Sequence, residues 1–192
     1  MRSSLGSCAK RILGRDGGLL AMLGLLVGCG GGGMPSGLAP VTGFQLDRYL
    51  GTWYEIARLD HSFERGLTHV GATYSLNEDG TVRVVNRGYD PAKREWREAV
   101  GRAKFVGDPA TGQLKVSFFG PFYGGYNIIS LDPDYGHAVV CGPTRGYFWI
   151  LAREPRLPPE VLTGLVEQAK SWNFAAAELI FVQQDNPPPA EP

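Results

Sequence analysis

Short runs in which apolar and polar residues alternate dominate this 192-residue chain. A period of two places successive side chains on opposite faces of a strand. Such runs lie near 53–60, 69–76, 81–89, 94–106, 113–119, 125–132, 137–142 and 147–153. Between them stand Asn77-Glu78-Asp79-Gly80, Asp90-Pro91-Ala92-Lys93, Asp108-Pro109-Ala110-Thr111-Gly112, Asp132-Pro133-Asp134-Tyr135-Gly136 and Gly142-Pro143-Thr144-Arg145-Gly146. Each carries the Gly, Pro or Asp that a tight reversal needs. Eight sequential strands on hairpin-length connections predict an all-β, antiparallel, up-and-down barrel. Closure removes the exposed sheet edges, and eight strands leave room for one small ligand.

The period changes after residue 157. Pro158 and Pro159 suit a helix start, where the N–H has no internal acceptor. Val161, Leu162, Leu165, Ala169 and Trp172 recur at helical spacing and form one apolar stripe, with Asn173 as the stop. This C-terminal helix is expected to pack outside the barrel, and Leu179-Ile180-Phe181-Val182 to return as a short ninth strand. Residues 185–192 read as a disordered, proline-rich tail.

The N-terminus is organised differently. Arg2, Lys10, Arg11 and Arg15 precede an apolar run too short to span a bilayer, which needs roughly 20 residues. That run ends at Leu26-Val27-Gly28-Cys29, which resembles a bacterial lipobox. The resemblance implies a signal peptide over 1–28, cleavage before Cys29, a diacylglycerol joined to the Cys29 thiol as a thioether, and acylation of the new amino group, with palmitate among the chains. Two or three acyl chains anchor a protein stably where one would be marginal. Residues 29–40, Gly-rich, read as a flexible tether, and 41–184 as one barrel domain. Gly30, rather than Asp, after the acylated Cys resembles the sorting pattern for the outer membrane, at its periplasmic face in a Gram-negative bacterium.

The full chain carries no net charge. The leader takes four basic residues and one acidic residue with it, leaving a net charge of −3. No basic stripe argues for nucleic acid. Cys8 leaves with the leader and Cys29 is consumed by lipid, so Cys141 has no disulfide partner within the chain. His61, His69 and His137 lack a second ligand at metal-site spacing, and neither a G-x-S-x-G elbow nor a phosphate loop occurs. No metal, cofactor or catalytic set is expected. The reading is a binding protein.

In a closed barrel alternate residues point inward. On strands two to five the apolar parity is Tyr74, Val82, Val84, Ala103, Phe105, Val116 and Phe118, with Asn86 a polar addition. The other parity holds Arg83, Arg102, Lys104 and Lys115, which are costly to bury unpaired. Strand six is apolar on both parities.

Gly51-Thr52-Trp53-Tyr54, after Phe44, Leu46, Tyr49 and Leu50, resembles the first signature of the lipocalins. Trp149-Ile150-Leu151-Ala152-Arg153 resembles their third. In that family the first-strand Trp plugs the closed end and the late Arg packs over it. The resemblance therefore implies a structural set of Gly51, Trp53 and Arg153. It also implies Tyr147, Trp149 and Leu151 inward on strand eight, and Asn127 and Ile129 inward on strand six. The second signature is poorly kept at Leu131-Asp132-Pro133-Asp134-Tyr135, and no role follows from it. The resemblance spans about 41–184 and is nearest to bacterial outer-membrane lipocalins, relatives of apolipoprotein D.

Together these features describe a lumen suited to an acyl chain, and a membrane-anchored carrier or store of a fatty acid or lysophospholipid. Two rivals use the same barrel: a lipid-modifying enzyme with Cys141 as its thiol, and a structural lipoprotein with a filled barrel and a protein partner. A homodimer is compatible with either state of the lumen. With strand one starting at the closed end, loops at 60–68, 90–93, 119–125 and 142–146 ring the mouth. Phe63, Phe119, Phe122, Tyr123, Arg65 and Arg145 fall there.

Overall fold

The structure, a computed structural model, describes residues 33–188. The signal peptide, Cys29 and the last four residues of the tail lie outside the described residues. The strands are β1 (Gly51–Arg58), β2 (Thr68–Leu76), β3 (Val82–Asp90), β4 (Glu95–Phe105), β5 (Gln113–Phe119), β6 (Phe122–Leu131), β7 (His137–Cys141), β8 (Phe148–Ala152) and β9 (Ile180–Phe181). A short helix α1 (Leu46–Tyr49) precedes them, and α2 (Pro159–Ser171) stands between β8 and β9. From β1 to β8 each strand pairs antiparallel with the next, and β1 pairs with both β8 and β2, which closes the barrel.

The closure has a seam. β1 meets β2 only over its first half, Gly51↔Tyr74 to Tyr54↔Gly71. An added Cβ at Gly71 would lie 3.0 Å from the Trp53 carbonyl oxygen, so this approach needs a glycine. Beyond that point the strands part and β9 fills the gap, pairing with Ala57 and Arg58 on one side. On the other side His69 donates its N–H to the Gln183 carbonyl (2.8 Å). The Gln184 amide then bridges both walls, donating to the carbonyls of Glu55 (2.8 Å) and Val70 (2.7 Å). The expected ninth strand is therefore the wedge that completes the wall.

Helix α2 begins with Pro159 in its first turn and ends in a left-handed Asn173 (φ 59°). Phe174 N–H bonds to the Ala169 carbonyl and Asn173 N–H to that of Lys170, the paired bonds of a Schellman stop. Its stripe lies on the outer faces of β1, β6, β7 and β8. Leu165, Ala169 and Phe174 pack there with Ile129, Val139, Cys141, Phe148, Ile150 and Ala152. A second cluster fills the interior from Phe44, Tyr49 and Trp53 up through Val82, Ala103, Ile128, Val140 and Leu151. The strands under α2 are thus buried on both faces, which is why they read as continuous apolar runs.

That double burial corrects one expectation. On β6 the inward parity is Tyr126 and Ile128, whereas Ile129 joins the cluster beneath α2. Asn127 also points away from the lumen, its amide donating to the carbonyls of Gly33, Cys141 and Gly142 at 3.2–3.3 Å. Hydropathy cannot choose a face when neither meets water. The β5–β6 turn is also tighter than the expected 119–125 loop: Gly120 and Pro121 alone join Phe119 to Phe122.

The tether expectation is corrected from residue 33 onward. Pro35 is buried, and Met34 and Leu38 pack against the outer cluster. Arg145 donates to the Ser36 carbonyl (2.8 Å), and Val41 exchanges backbone bonds with Ile128 and Gly112 (each 2.9 Å). Glycine content suggests flexibility, but the apolar residues among the glycines find a groove on the wall. At the other end Asp185 is held too, as acceptor for Arg156 Nε (2.7 Å).

Candidate functional site

The floor of the barrel forms from the segment around β1. Gly51 adopts a left-handed φ of 92°, which an L side chain rarely takes. Trp53 is fully buried and donates its indole N–H to the Tyr49 carbonyl (2.8 Å). Arg153 lies 4.1 Å above the Trp53 ring and donates to the carbonyls of Thr52 (2.8 Å) and Arg48 (2.7 Å). The expected Trp53–Arg153 pair is in place. It joins a cation–π contact to a fork of hydrogen bonds at the end where a ligand cannot leave.

Above the floor opens a cavity of about 900 Å³ when its mouth is counted, with about 120 Å³ of interior clear of every wall. Tyr74, Val84, Asn86, Val116, Phe118, Trp149 and Leu151, all expected inward, line it. Across β4 an added Cβ at Gly101 would meet the Phe118 ring at 2.8 Å, so this glycine gives the ring its place. Phe105 belongs to the inner cluster but packs beside Phe44 (6.1 Å between centroids) below the open space. Tyr147 stacks on His61 (5.4 Å) and Trp149 (6.2 Å) rather than facing the cavity. Asn127 and Ile129 are outside it, as described.

Several lining residues escape a parity reading because they come from other places. Phe44, Leu46 and Tyr49 enter with α1, and Phe63 and Glu64 with the β1–β2 loop. Tyr126 follows from the corrected face of β6. Its hydroxyl bonds to those of Tyr49 (2.7 Å) and Tyr74 (2.8 Å). Burial pushes all three phenols up, so they stay neutral and largely satisfy one another. Three tyrosines therefore present aromatic surface to the lumen with little unmet polarity.

Charge enters at the upper wall. Glu55 and Arg58 form a buried ion pair at 2.7 Å, and Arg58 also donates to the Glu64 carbonyl (2.9 Å). The Glu64 carboxylate accepts the Trp149 indole N–H (3.1 Å). Burial raises the pKa of Glu55, reinforced by Glu64, and burial likewise raises Glu64. His61, stacked between Phe63 and Tyr147, has neither ring nitrogen hydrogen-bonded. Burial and the nearby Arg58 lower its pKa to about 4, so the ring is neutral at pH 7. One guanidinium faces two carboxyl groups here, a poor place for a ligand's own carboxylate.

Cys141 lies in the outer cluster beneath α2, and burial pushes its thiol up to about 12. The thiol on which the enzymatic reading depends is therefore outside the lumen and protonated. Among the described residues, no three His, Cys, Asp or Glu side chains gather to hold a metal.

Residues 44–184 match the family described as the lipocalin-like domain. Outer membrane lipoprotein Blc of Citrobacter freundii is 52% identical over 160 residues, covering 83% of this chain and 90% of that protein. Apolipoprotein D of Rattus norvegicus is 32% identical over 157 residues, covering 76% and 79%. Among solved structures, insecticyanin from the tobacco hornworm Manduca sexta superposes with a TM-score of 0.64 at 17% identity, covering 81% of this chain and 88% of that one, a likeness of fold. With its closed barrel, its Trp53–Arg153 floor and a family match across the whole domain, this chain belongs to the lipocalins.

Proposed function

We propose that this lipocalin is a binding protein of the outer membrane. It is anchored through lipid on Cys29 and carries or stores a single-chain amphiphile, a fatty acid or lysophospholipid. The observation that carries the ligand class is the cavity itself: apolar and aromatic walls, closed below by Trp53 and open at one end. An acyl chain gains roughly 0.8 kcal/mol for each methylene it buries there. The charged lining residues Glu55 and Glu64 stand toward the mouth, while the deeper tyrosine hydroxyls satisfy one another, so the tail enters first and the head stays near the mouth. The place at the outer membrane is supported by the similarity to outer membrane lipoprotein Blc and by the Gly30 that follows Cys29.

Native mass spectrometry of residues 33–192, followed by lipid extraction, tests this reading. The expected result is a bound or added fatty acid or lysophospholipid at one per barrel; the same spectra read monomer or homodimer. A domain that copurifies with no lipid and takes up neither amphiphile would overturn the carrier in favour of a filled barrel with a protein partner.

A further inference from the structure

The strap of residues 33–44 bears on which end of the barrel meets the membrane. The connections 59–67, 91–94, 120–121 and 142–147 lie at the open end, opposite α1 and Trp53. Gly33 sits at that end: an added Cβ there would lie 3.5 Å from Pro143 Cβ, and its carbonyl is held by Asn127. From there the chain descends the outer wall to the floor, where Thr42 bridges to Thr111 and Phe44 N–H bonds to the Ala110 carbonyl. Three residues lie between Cys29 and Gly33, so the four Cα–Cα steps reach at most about 14 Å. The eight residues of β1 rise about 26 Å, or roughly 20 Å along the barrel axis after strand tilt. A lipid on Cys29 therefore holds the mouth near the bilayer and cannot hold the floor there.

Two further features agree. Phe63, in the 59–67 connection, and Phe119 and Phe122, flanking the 120–121 turn, have 53, 73 and 65% of their surface exposed. Exposed aromatic rings on one end of a protein fit the boundary between headgroups and acyl chains. The mouth connections carry Arg65, Lys93, Arg94 and Arg145 against Asp60 and the buried Glu64. The three hairpin turns of the closed end (77–81, 106–112 and 132–136) carry Glu78, Asp79, Asp108, Asp132 and Asp134 and no basic residue. Anionic lipid attracts the first end and repels the second.

We infer that the barrel docks mouth-first on the membrane that holds its anchor, with Phe63, Phe119 and Phe122 entering the headgroup layer, so that the lumen opens onto lipid. This orientation rests on the Cys29 anchor proposed above. The strap leaves too little chain for the barrel to turn its floor to the bilayer.

The test uses the full, lipid-modified chain in vesicles of phosphatidylethanolamine with a minor fraction of phosphatidylglycerol. In a Cys141→Ala background, Phe122→Cys or Glu78→Cys takes an environment-sensitive fluorophore; both positions are exposed, and thermal melts verify the fold. Brominated lipids are expected to remove most of the emission at position 122 and leave that at position 78 unchanged. A labelled chain that floats with the vesicles but is quenched equally at both positions, more at 78, or at neither would overturn the orientation while leaving the anchor standing. A chain that does not float, or a Cys29→Ser chain that floats equally well, would remove the anchor and the inference with it.

Discussion

Val116 sits mid-strand on β5, opposite Gly124 and beside Ala103, and lines the cavity without being part of the Trp53 floor. A carboxylate there is costly to desolvate against an aliphatic tail, while water entering from the mouth softens that cost in the empty barrel. Val116→Asp is expected to fold and to weaken fatty acid or lysophospholipid binding at least tenfold, about 1.4 kcal/mol, in a fluorescence titration. His61 offers a second residue-scale prediction. Its folded pKa lies below its unfolded value, so the neutral ring contributes stability that is present above about pH 6.5 and lost as the pH falls toward about 4. His61→Phe keeps the stack with Phe63 and Tyr147 and removes the titration. Urea melts should therefore show the variant gaining on the wild-type domain by up to about 1.4 kcal/mol per pH unit across that window. A constant difference between pH 7 and pH 4 would mean that the ring is not held neutral.

At the scale of elements, the barrel wall separates two apolar compartments with different duties. Helix α2 buries one face against the outside of β1, β6, β7 and β8, while the ligand space lies on the inside. Leu165 is at the centre of that outer contact and 6% exposed. Leu165→Ala is expected to cost about 2–5 kcal/mol in chemical denaturation, with its range set by how far the site can collapse. Ligand affinity of the folded fraction should stay within twofold, because no lumen residue changes place. A large loss of affinity without loss of stability would show that helix and lumen are coupled through the wall. The strap of residues 33–44 is the third such element. It occupies the outer wall beside β6 and gives Asn127 its acceptor at Gly33, which is why that amide is not free to serve the lumen.

For the whole molecule the decisive residue is the one farthest from the barrel core. Cys29→Ser removes the thiol that a lipid thioether requires and leaves the folded domain untouched. Membrane fractionation with palmitate labelling should then find the label gone and the protein soluble or unprocessed. Unchanged label and membrane association would overturn the anchor. Such a result would not bear on the lumen, whose walls are built entirely from residues 44–151.

How much of this was legible beforehand depended on how many faces of each element meet water. β2 to β5 have one wet face, their lysines and arginines mark it, and Tyr74, Val84, Val116 and Phe118 were placed by parity alone. The turns were legible because Gly, Pro and Asp satisfy local backbone demands that do not wait for the fold. The helix stop at Asn173 was legible for the same reason, and the Trp53–Arg153 floor through a resemblance. On β6, with both faces buried, alternation carried no information, and the choice of Asn127 and Ile129 reversed. The strap reads as linker because composition reports flexibility, whereas packing depends on a groove that exists only after the barrel closes. Cys141 could not be assigned a side until α2 covered it. The buried set of Glu55, Arg58, His61 and Glu64 had no motif: a buried charge is tolerable only when paired, and nothing local shows that the end of β1 and the loop after it are buried together. Local pattern determined the strands, turns and helix of this protein; contacts between distant segments decided which faces line the lumen, where the strap runs and at which end of the barrel it begins.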